Sequence, residues 1–212
     1  MDKVSVPFIN DQGVVPYADA LNLQRSIHES VIQDPAKEQI ILVQHPPTIT
    51  LGNRGGRYHI LDEARLASLG AQVFETERGG EVTAHMPGQL VVYPILHLGS
   101  RGLSVRKYVC LLEGAVIEVL GQFGIQAQRH ETYPGVWVGE QKICALGVRV
   151  SKRVSMHGIA LNVSNDLDLF DTIVPCGIKN RGVCRMADHT AKIPEVADVG
   201  RRWVQAFLDA LS

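Results

Sequence analysis

The sequence predicts an α/β (α+β) fold. Two long stretches place apolar residues at helical spacing between recognisable end signals. Short apolar runs of strand length lie between them. The second half then carries three strand-like runs separated by Gly139-Glu140-Gln141 and Ser151-Lys152-Arg153, which reads as a meander. At 212 residues the chain fits one domain with a core of its own, expected to span residues 1–212.

Taken in order, residues 4–9 read as a first strand. Residues 16–33 set Ala20, Leu21, Leu23, Ile27 and Val31 near one helical face, with Pro16 suited to the first turn and Asp34-Pro35 ending the helix. Residues 39–44 are a continuous apolar run, the pattern of a buried strand. His45-Pro46-Pro47 breaks it, and residues 48–51 resume as a short strand. Residues 61–69 read as a short helix closed by Gly70; residues 71–77 and 90–96 read as strands. Ser104 caps the clearest helix, 104–123, whose inward stripe is Val105, Tyr108, Val109, Leu112, Ala115, Val116, Val119 and Leu120. Cys110 is expected in or beside that stripe. The meander runs are 136–138, 142–150 and 154–163. Residues 165–184 read as loop or short helix. Residues 194–211 read as a closing helix with Val196, Val199, Val204, Phe207, Leu208 and Leu211 inward.

Twenty-one basic residues against 22 acidic ones give a net charge of −1, which argues against nucleic-acid binding through bulk charge. The N-terminus carries no apolar signal region, and no apolar run approaches membrane-spanning length, so a cytoplasmic protein is expected. Cys110, Cys144, Cys176 and Cys184 include no Cys-x-x-Cys pair; free thiols are expected, and no metal.

The chemistry centres on Ile173-Val174-Pro175-Cys176-Gly177-Ile178. A residue with fixed φ before the thiol and a permissive one after it can present sulfur at the lip of a site. The alternative is a half-buried loop thiol. A second dense stretch is Arg78-Gly79-Gly80-Glu81-Val82-Thr83-Ala84-His85-Met86-Pro87-Gly88-Gln89. Its paired glycines can turn backbone N–H groups toward a carbonyl or carboxylate, Arg78 offers a donor fork, and His85 can serve as acid, base or donor. The alternative there is a hairpin connection with a structural histidine. Residues 52–57, with three glycines and two arginines, lack the spacing of a phosphate loop and read as a mobile surface loop, the alternative being that Arg54 or Arg57 touches an anionic partner.

A cysteine attacks as thiolate and needs a cation or base beside it. Lys142, His85 and His157 are the candidates. Lys142 opens an interior strand after a tight turn, an unusual place for a solvated lysine. Spacing alone leaves Cys–His and Cys–Lys pairing equally open.

Five blocks then occur in order: Arg78-Gly79-Gly80-x-Val82-Thr83-x-His85-x-Pro87-Gly88-Gln89, Gly135-Val136-Trp137-Val138, Lys142-Ile143-x-Ala145-Leu146-Gly147-Val148-Arg149, His157-Gly158-x-Ala160-Leu161-Asn162-Val163 and Pro175-Cys176-Gly177-Ile178. Together they resemble the lipoyl(octanoyl) transferases, which move octanoyl from acyl carrier protein to a lipoyl-domain lysine. The resemblance spans nearly the whole chain. It implies the fold of the biotin and lipoate protein ligase catalytic domains, a mixed and antiparallel sheet flanked by helices. It implies a catalytic pair on Cys176 and Lys142, with acyl-pocket segments on residues 78–85, on Ala145, Leu146 and Gly147, and on Gly158, Ile159 and Ala160. It also implies no cofactor, octanoyl-acyl carrier protein as donor, and as acceptors the lipoyl domains of 2-oxoacid dehydrogenases and the glycine cleavage H protein.

Two departures stand out. Ala84 and Met86 replace the family's usual Tyr and Gly beside the first histidine, and Val183-Cys184-Arg185-Met186 replaces Val-Thr-Ser-Leu. The first touches the expected acyl pocket. The rival readings are an ATP-dependent lipoate or biotin ligase on the same fold and a non-catalytic carrier-binding module. Arg101, Arg106, Lys107, Arg149, Lys152 and Arg153 are the candidate basic residues for receiving an acidic carrier protein.

Overall fold

The structure is a computed structural model and describes residues 6–174 and 182–211. The chain opens with strand β1 (Phe8–Val14), helix α1 (Tyr17–Gln33) and strands β2 (Gln39–Gln44) and β3 (Thr48–Leu51). Helix α2 (Glu63–Ser68) and strands β4 (Gln72–Glu75), β5 (Val82–His85) and β6 (Gln89–Ile95) follow. Helix α3 (Val105–Gln122) leads to β7 (Gln128–Arg129), β8 (Val136–Val138), β9 (Gln141–Ser151) and β10 (Val154–Asn162). Helix α4 (Val196–Leu211) closes the chain.

The strands form two sheets. Seven make a mixed sheet in the order β1-β2-β6-β10-β9-β8-β7, and three make a second in the order β4-β3-β5. The predicted meander is present as the antiparallel run β8-β9-β10. Its turn between β9 and β10 holds Lys152 and Arg153 in the left-handed region, at φ 48° and 66°.

Helices α3 and α4 cover one face of the large sheet. Tyr108, Leu112, Val116, Val119 and Leu120 of α3 meet Val199, Trp203 and Phe207 of α4 over Leu90, Val92, Ile159 and Leu161. Trp203 and Phe207 stack at 4.8 Å; full burial of a side chain of Phe size contributes about 1.5–3 kcal/mol. Helix α1 covers the opposite face, setting Ala20, Ile27 and Val31 against Ile41, Val91, Tyr93 and Ala160. The small sheet has a core of its own, in which Ile49, Leu51, Val82 and Ala84 pack on Leu66, Leu169, Phe170 and Ile173.

Three expectations are corrected. The first strand is Phe8–Val14, not residues 4–9, of which 4 and 5 lie outside the described residues. Pro7 has no N–H for a ladder, while Asn10 and Asp11 pair well because β1 is an edge strand, parallel to β2, with its side chains in water. Val105, in the first turn of α3, is 49% exposed, and Cys110, in the second, is exposed as well, so neither joins the inward stripe. Trp203, which the periodicity reading passed over, is fully buried at the centre of the α4 contact.

Candidate active site

A cleft of about 590 Å³ opens where the small sheet meets β6, β9 and β10. Its walls come from the 78–83 segment and His85, from Val91 and Tyr93 on β6, from Lys142 and residues 145–148 on β9, and from residues 157–160 on β10. Tyr17 of α1, Asn53 and Arg54 of the loop after β3, Val109 of α3 and residues 132–134 complete it.

Lys142 faces this cleft because β9 is irregular. Val136 pairs with Cys144 and Trp137 with Lys142, so two steps on β9 match one on β8 and Ile143 is the extra residue of a bulge. Side chains alternate along a strand, and a bulge re-aims the residue beside it. Ile143 and Cys144 both enter the α3–α4 core, which turns Lys142 to the cleft side with Ala145. Lys142 is 7% exposed, and its Nζ lies 5.0 Å from the centre of the Trp137 ring, a cation–π distance. Its main chain is held on both sides: the N–H donates to Gly182 O and the carbonyl accepts from Cys184 N–H, each at 3.1 Å. On the far side, Val174 N–H donates to His59 O at 2.9 Å. The two ends of the stretch that carries Cys176 are therefore tied down, one of them directly to Lys142. Cys176 itself lies outside the described residues.

A directional chain of buried hydrogen bonds runs behind the cleft. Arg78 can only donate. Its Nε donates to Thr50 Oγ1 at 3.0 Å, and its Nη atoms donate to the carbonyls of Thr50, Gly79 and Glu81. Gln89 Nε2 is turned away as a donor, to Ala84 O at 3.1 Å, which leaves Gln89 Oε1 to accept from His85 Nδ1–H at 2.9 Å and His85 Nε2 to accept from the Thr50 hydroxyl at 3.2 Å. Gln89 Nε2 donates to Asn162 Oδ1 at 2.9 Å, and Asn162 Nδ2 donates to the Cys184 carbonyl at 3.0 Å. Burial, reinforced by His45 and Arg78, holds His85 well below the usual histidine range. His85 is thus a neutral link with both nitrogens engaged, and Arg78 organises the 78–81 loop.

Gly147 explains how that loop comes so close. Gly79 N–H donates to Val148 O at 3.0 Å, and a Cβ on Gly147 would stand 2.6 Å from Gly79 O. The glycine permits backbone contact rather than opening a wider channel.

His157 departs from β geometry in its own way. Pro94 on β6 has no N–H, and the β10–β6 ladder stops at Ile159. His157 sits at φ 58°, and its N–H donates to Gln24 Oε1 at 2.9 Å. Strict alternation would send its ring into the α3–α4 core with Ile159 and Leu161. Instead the ring meets Tyr93 edge-on at 6.4 Å and lines the cleft. It is 2% exposed, neither ring nitrogen has a hydrogen-bond partner among the described residues, and burial pushes its pKa down to about 3.

Of the site residues expected from the sequence, Ala84 does not reach the cleft; it packs with Leu169, Phe170 and Ile173 in the small-sheet core. Met86 is buried beside it and accepts from Asn165 Nδ2 at 3.1 Å. Among the basic candidates, Arg101 is buried against Glu38 and Arg149 pairs with Glu77. Thr50, Gln89 and Asn162, and the cleft residues Tyr17 and Tyr93, were not singled out as site residues. Gln89 and Asn162 stand in the motif blocks without a role of their own, and the signal of Thr50, Tyr17 and Tyr93 was a polar or half-polar side chain inside an apolar run. Cys144 and Cys184 are buried thiols held protonated, the latter with its pKa pushed up to about 12. Among the described residues no helix is long and apolar enough to cross a membrane.

The family model of the lipoyl protein ligase A/B catalytic domain matches residues 16–208. An octanoyltransferase of Caldicellulosiruptor saccharolyticus is 46% identical over 173 residues, 80% of this chain and 74% of that one. An octanoyltransferase of Chloroflexus aggregans is 45% identical over 199 residues, 92% of this chain and 90% of that one. Two solved structures share the fold. A lipoate protein ligase from Thermoplasma acidophilum matches with a TM-score of 0.76 at 17% identity, over 98% of this chain and 84% of that one. A biotin protein ligase from Aquifex aeolicus matches with a TM-score of 0.55 at 13% identity, over 98% and 69%. The chain belongs to the lipoyl protein ligase A/B catalytic-domain family, among its octanoyltransferases.

Proposed function

We propose that residues 1–212 act as one catalytic domain that transfers octanoyl from acyl carrier protein to a lysine of lipoyl domains, the first committed step of endogenous protein lipoylation. The observation that carries this is Lys142: a buried lysine turned onto the cleft by a bulge and hydrogen-bonded through its main chain to the segment that follows Cys176. The relatives named octanoyltransferase support the reaction.

Cys176 is the nucleophile, two residues past Val174 and six before Gly182. As thiolate, favoured by the Lys142 ammonium, it attacks the donor thioester. A new C–S bond forms on Cys176, the bond to phosphopantetheine breaks, and the departing sulfur takes a proton from the Lys142 ammonium, which leaves Lys142 neutral to receive the proton of the attacking amine. One thioester replaces another, so no ATP is needed. The acceptor lysine then attacks the acyl-enzyme as a free amine, the amide forms, Cys176 leaves as thiolate, and Lys142 takes the amine's proton and is an ammonium again. The cleft walls contributed by residues 78–83 and 85, Ala145, Leu146, Gly147, His157, Gly158, Ile159 and Ala160 receive the acyl chain. The acceptors are the lipoyl domains of 2-oxoacid dehydrogenases and the glycine cleavage H protein. Arg106, Lys107, Lys152 and Arg153, all exposed, are the candidate face for the acidic carrier protein.

Initial rates with both substrates varied test this. Parallel double-reciprocal lines without ATP are expected. Product made from free octanoate plus ATP, with Cys176→Ser still active, points to a ligase. Carrier binding without turnover points to a binding module.

A further inference from the structure

The mouth of the cleft is marked by the described lining residues that stay exposed: Asn53 and Arg54 from the loop after β3, and Thr132 and Pro134 from the loop before β8. Arg54 is the one ionised side chain among these four. Its backbone is anchored. Asn53 N–H donates to Arg78 O at 2.9 Å, Arg54 N–H donates to Gly80 O at 3.1 Å, and the Tyr58 hydroxyl donates to Arg54 O at 3.2 Å. Gly55 permits the close approach of the two loops, since a Cβ there would stand 2.7 Å from Glu81 O. The guanidinium has no such ties. Arg78, the other arginine of the cleft, commits its donors to Thr50, Gly79 and Glu81, and Arg57 pairs with Glu63. The Arg54 side chain makes no hydrogen bond or ion pair among the described residues. A planar donor fork with a fixed base therefore stands at the entrance with no acceptor of its own.

We propose that Arg54 binds the phosphodiester of the donor's phosphopantetheine arm at the cleft mouth. This rests on the octanoyl-transfer reading above. An octanoyl group has only about nine non-hydrogen atoms, and pockets of several hundred cubic ångströms hold drug-sized ligands. A cleft of about 590 Å³ therefore has room for the inner part of the arm as well as the acyl chain. Between sulfur and phosphate the arm carries amides and a hydroxyl, so the phosphodiester is its one ionised group. It lies roughly 16 Å from the sulfur when the arm is extended. A thioester bound inside the cleft thus places the phosphate out at the entrance, where Arg54 is the exposed cation. Arginine matches phosphate with two parallel, charge-assisted hydrogen bonds. The contact is remote from the reacting carbonyl and is made before and during acyl transfer alike, so it acts on KM more than on kcat.

The test compares octanoyl-phosphopantetheine with octanoyl-pantetheine, two donors that differ only in the phosphate, for wild type, Arg54→Ala and Arg54→Lys at low salt. Wild type should favour the phosphorylated donor by roughly tenfold in kcat/KM, with the difference in KM. The preference should fall to near one in Arg54→Ala and persist in part in Arg54→Lys, which keeps the charge and loses the fork. Equal loss with both donors in Arg54→Ala, with the preference intact, overturns the proposal. So does a wild type without a preference, whether or not the variant folds. If the small donors turn over too slowly, unacylated phosphopantetheine and pantetheine are compared as inhibitors of transfer from octanoyl-acyl carrier protein. Inhibition of wild type about tenfold stronger by the phosphorylated form is then expected, and equal inhibition overturns the proposal. A loss in Arg54→Ala confined to octanoyl-acyl carrier protein, with the phosphate preference kept, would set Arg54 against the carrier's acidic side chains and also overturns it. Failure of the wild type to transfer from any donor, the carrier protein included, would instead remove the octanoyl-transfer reading.

Discussion

Asn162 Nδ2 donates to the carbonyl of Cys184 at 3.0 Å, and Cys184 donates its own N–H to the carbonyl of Lys142 at 3.1 Å. The polar chain that begins at Arg78 therefore ends on the strand segment that holds Lys142. Asn162→Ala leaves the Cys184 carbonyl without its Asn162 donor and one Gln89 Nε2–H without an acceptor, at a cost of about 1–3 kcal/mol. Equilibrium urea unfolding should show that loss, and octanoyl transfer should fall with it. A midpoint and rate equal to wild type would separate the chain from the site.

Lys142→Ala removes the cation and proton carrier but none of the main-chain bonds to Gly182 and Cys184. Turnover is expected to drop by roughly 10²–10⁴-fold, the usual size of a general acid–base contribution. Thermal unfolding should reveal a folded protein. A rate within a few-fold of wild type would shift the role to another residue.

Gly147→Ala places a methyl 2.6 Å from the Gly79 carbonyl, closer than real contacts allow. The 78–81 loop must move, and the Gly79–Val148 hydrogen bond goes with it. Lower transfer activity and a lower melting temperature are expected together. An alanine variant with wild-type kinetics would mean that the loop does not need its close approach to β9.

The fold should weaken on mild acidification. Burial lowers His45 to about 4, and its ring lies between Val15 O and the Tyr93 hydroxyl. The unfolded chain takes up a proton on this side chain below about 6.5 and the folded one does not, so the unfolded state gains as pH falls. Stability is full above pH 6.5 and declines toward pH 4, by roughly 3 kcal/mol for His45 alone. His85 and His157 act in the same direction. Urea midpoints from pH 7.5 to 4.5 measure this, and a flat profile contradicts it.

Much of the architecture was readable from periodicity and end signals. Helix α1 runs between Pro16 and Asp34 as expected, and Ser104 caps α3 by accepting from Lys107 N–H at 3.2 Å. β1 was misplaced because an edge strand in water needs no apolar alternation. The separate small sheet was not legible, since a four-residue strand such as β3 reads the same in either sheet. In the site, the residue types were visible and their orientations were not. The Ile143 bulge and the left-handed His157 both break the alternation from which a side chain's direction is inferred. Gln89 and Asn162 lie 73 positions apart and meet only in the folded chain.

The most direct measurement is intact mass after mixing the protein with octanoyl-acyl carrier protein, without acceptor, for wild type and Cys176→Ser. Wild type should gain one octanoyl group, lose it when apo lipoyl domain is added, and need no ATP. Cys176→Ser should gain none. The absence of any adduct on wild type, or an equal adduct on Cys176→Ser, would contradict acyl transfer through Cys176.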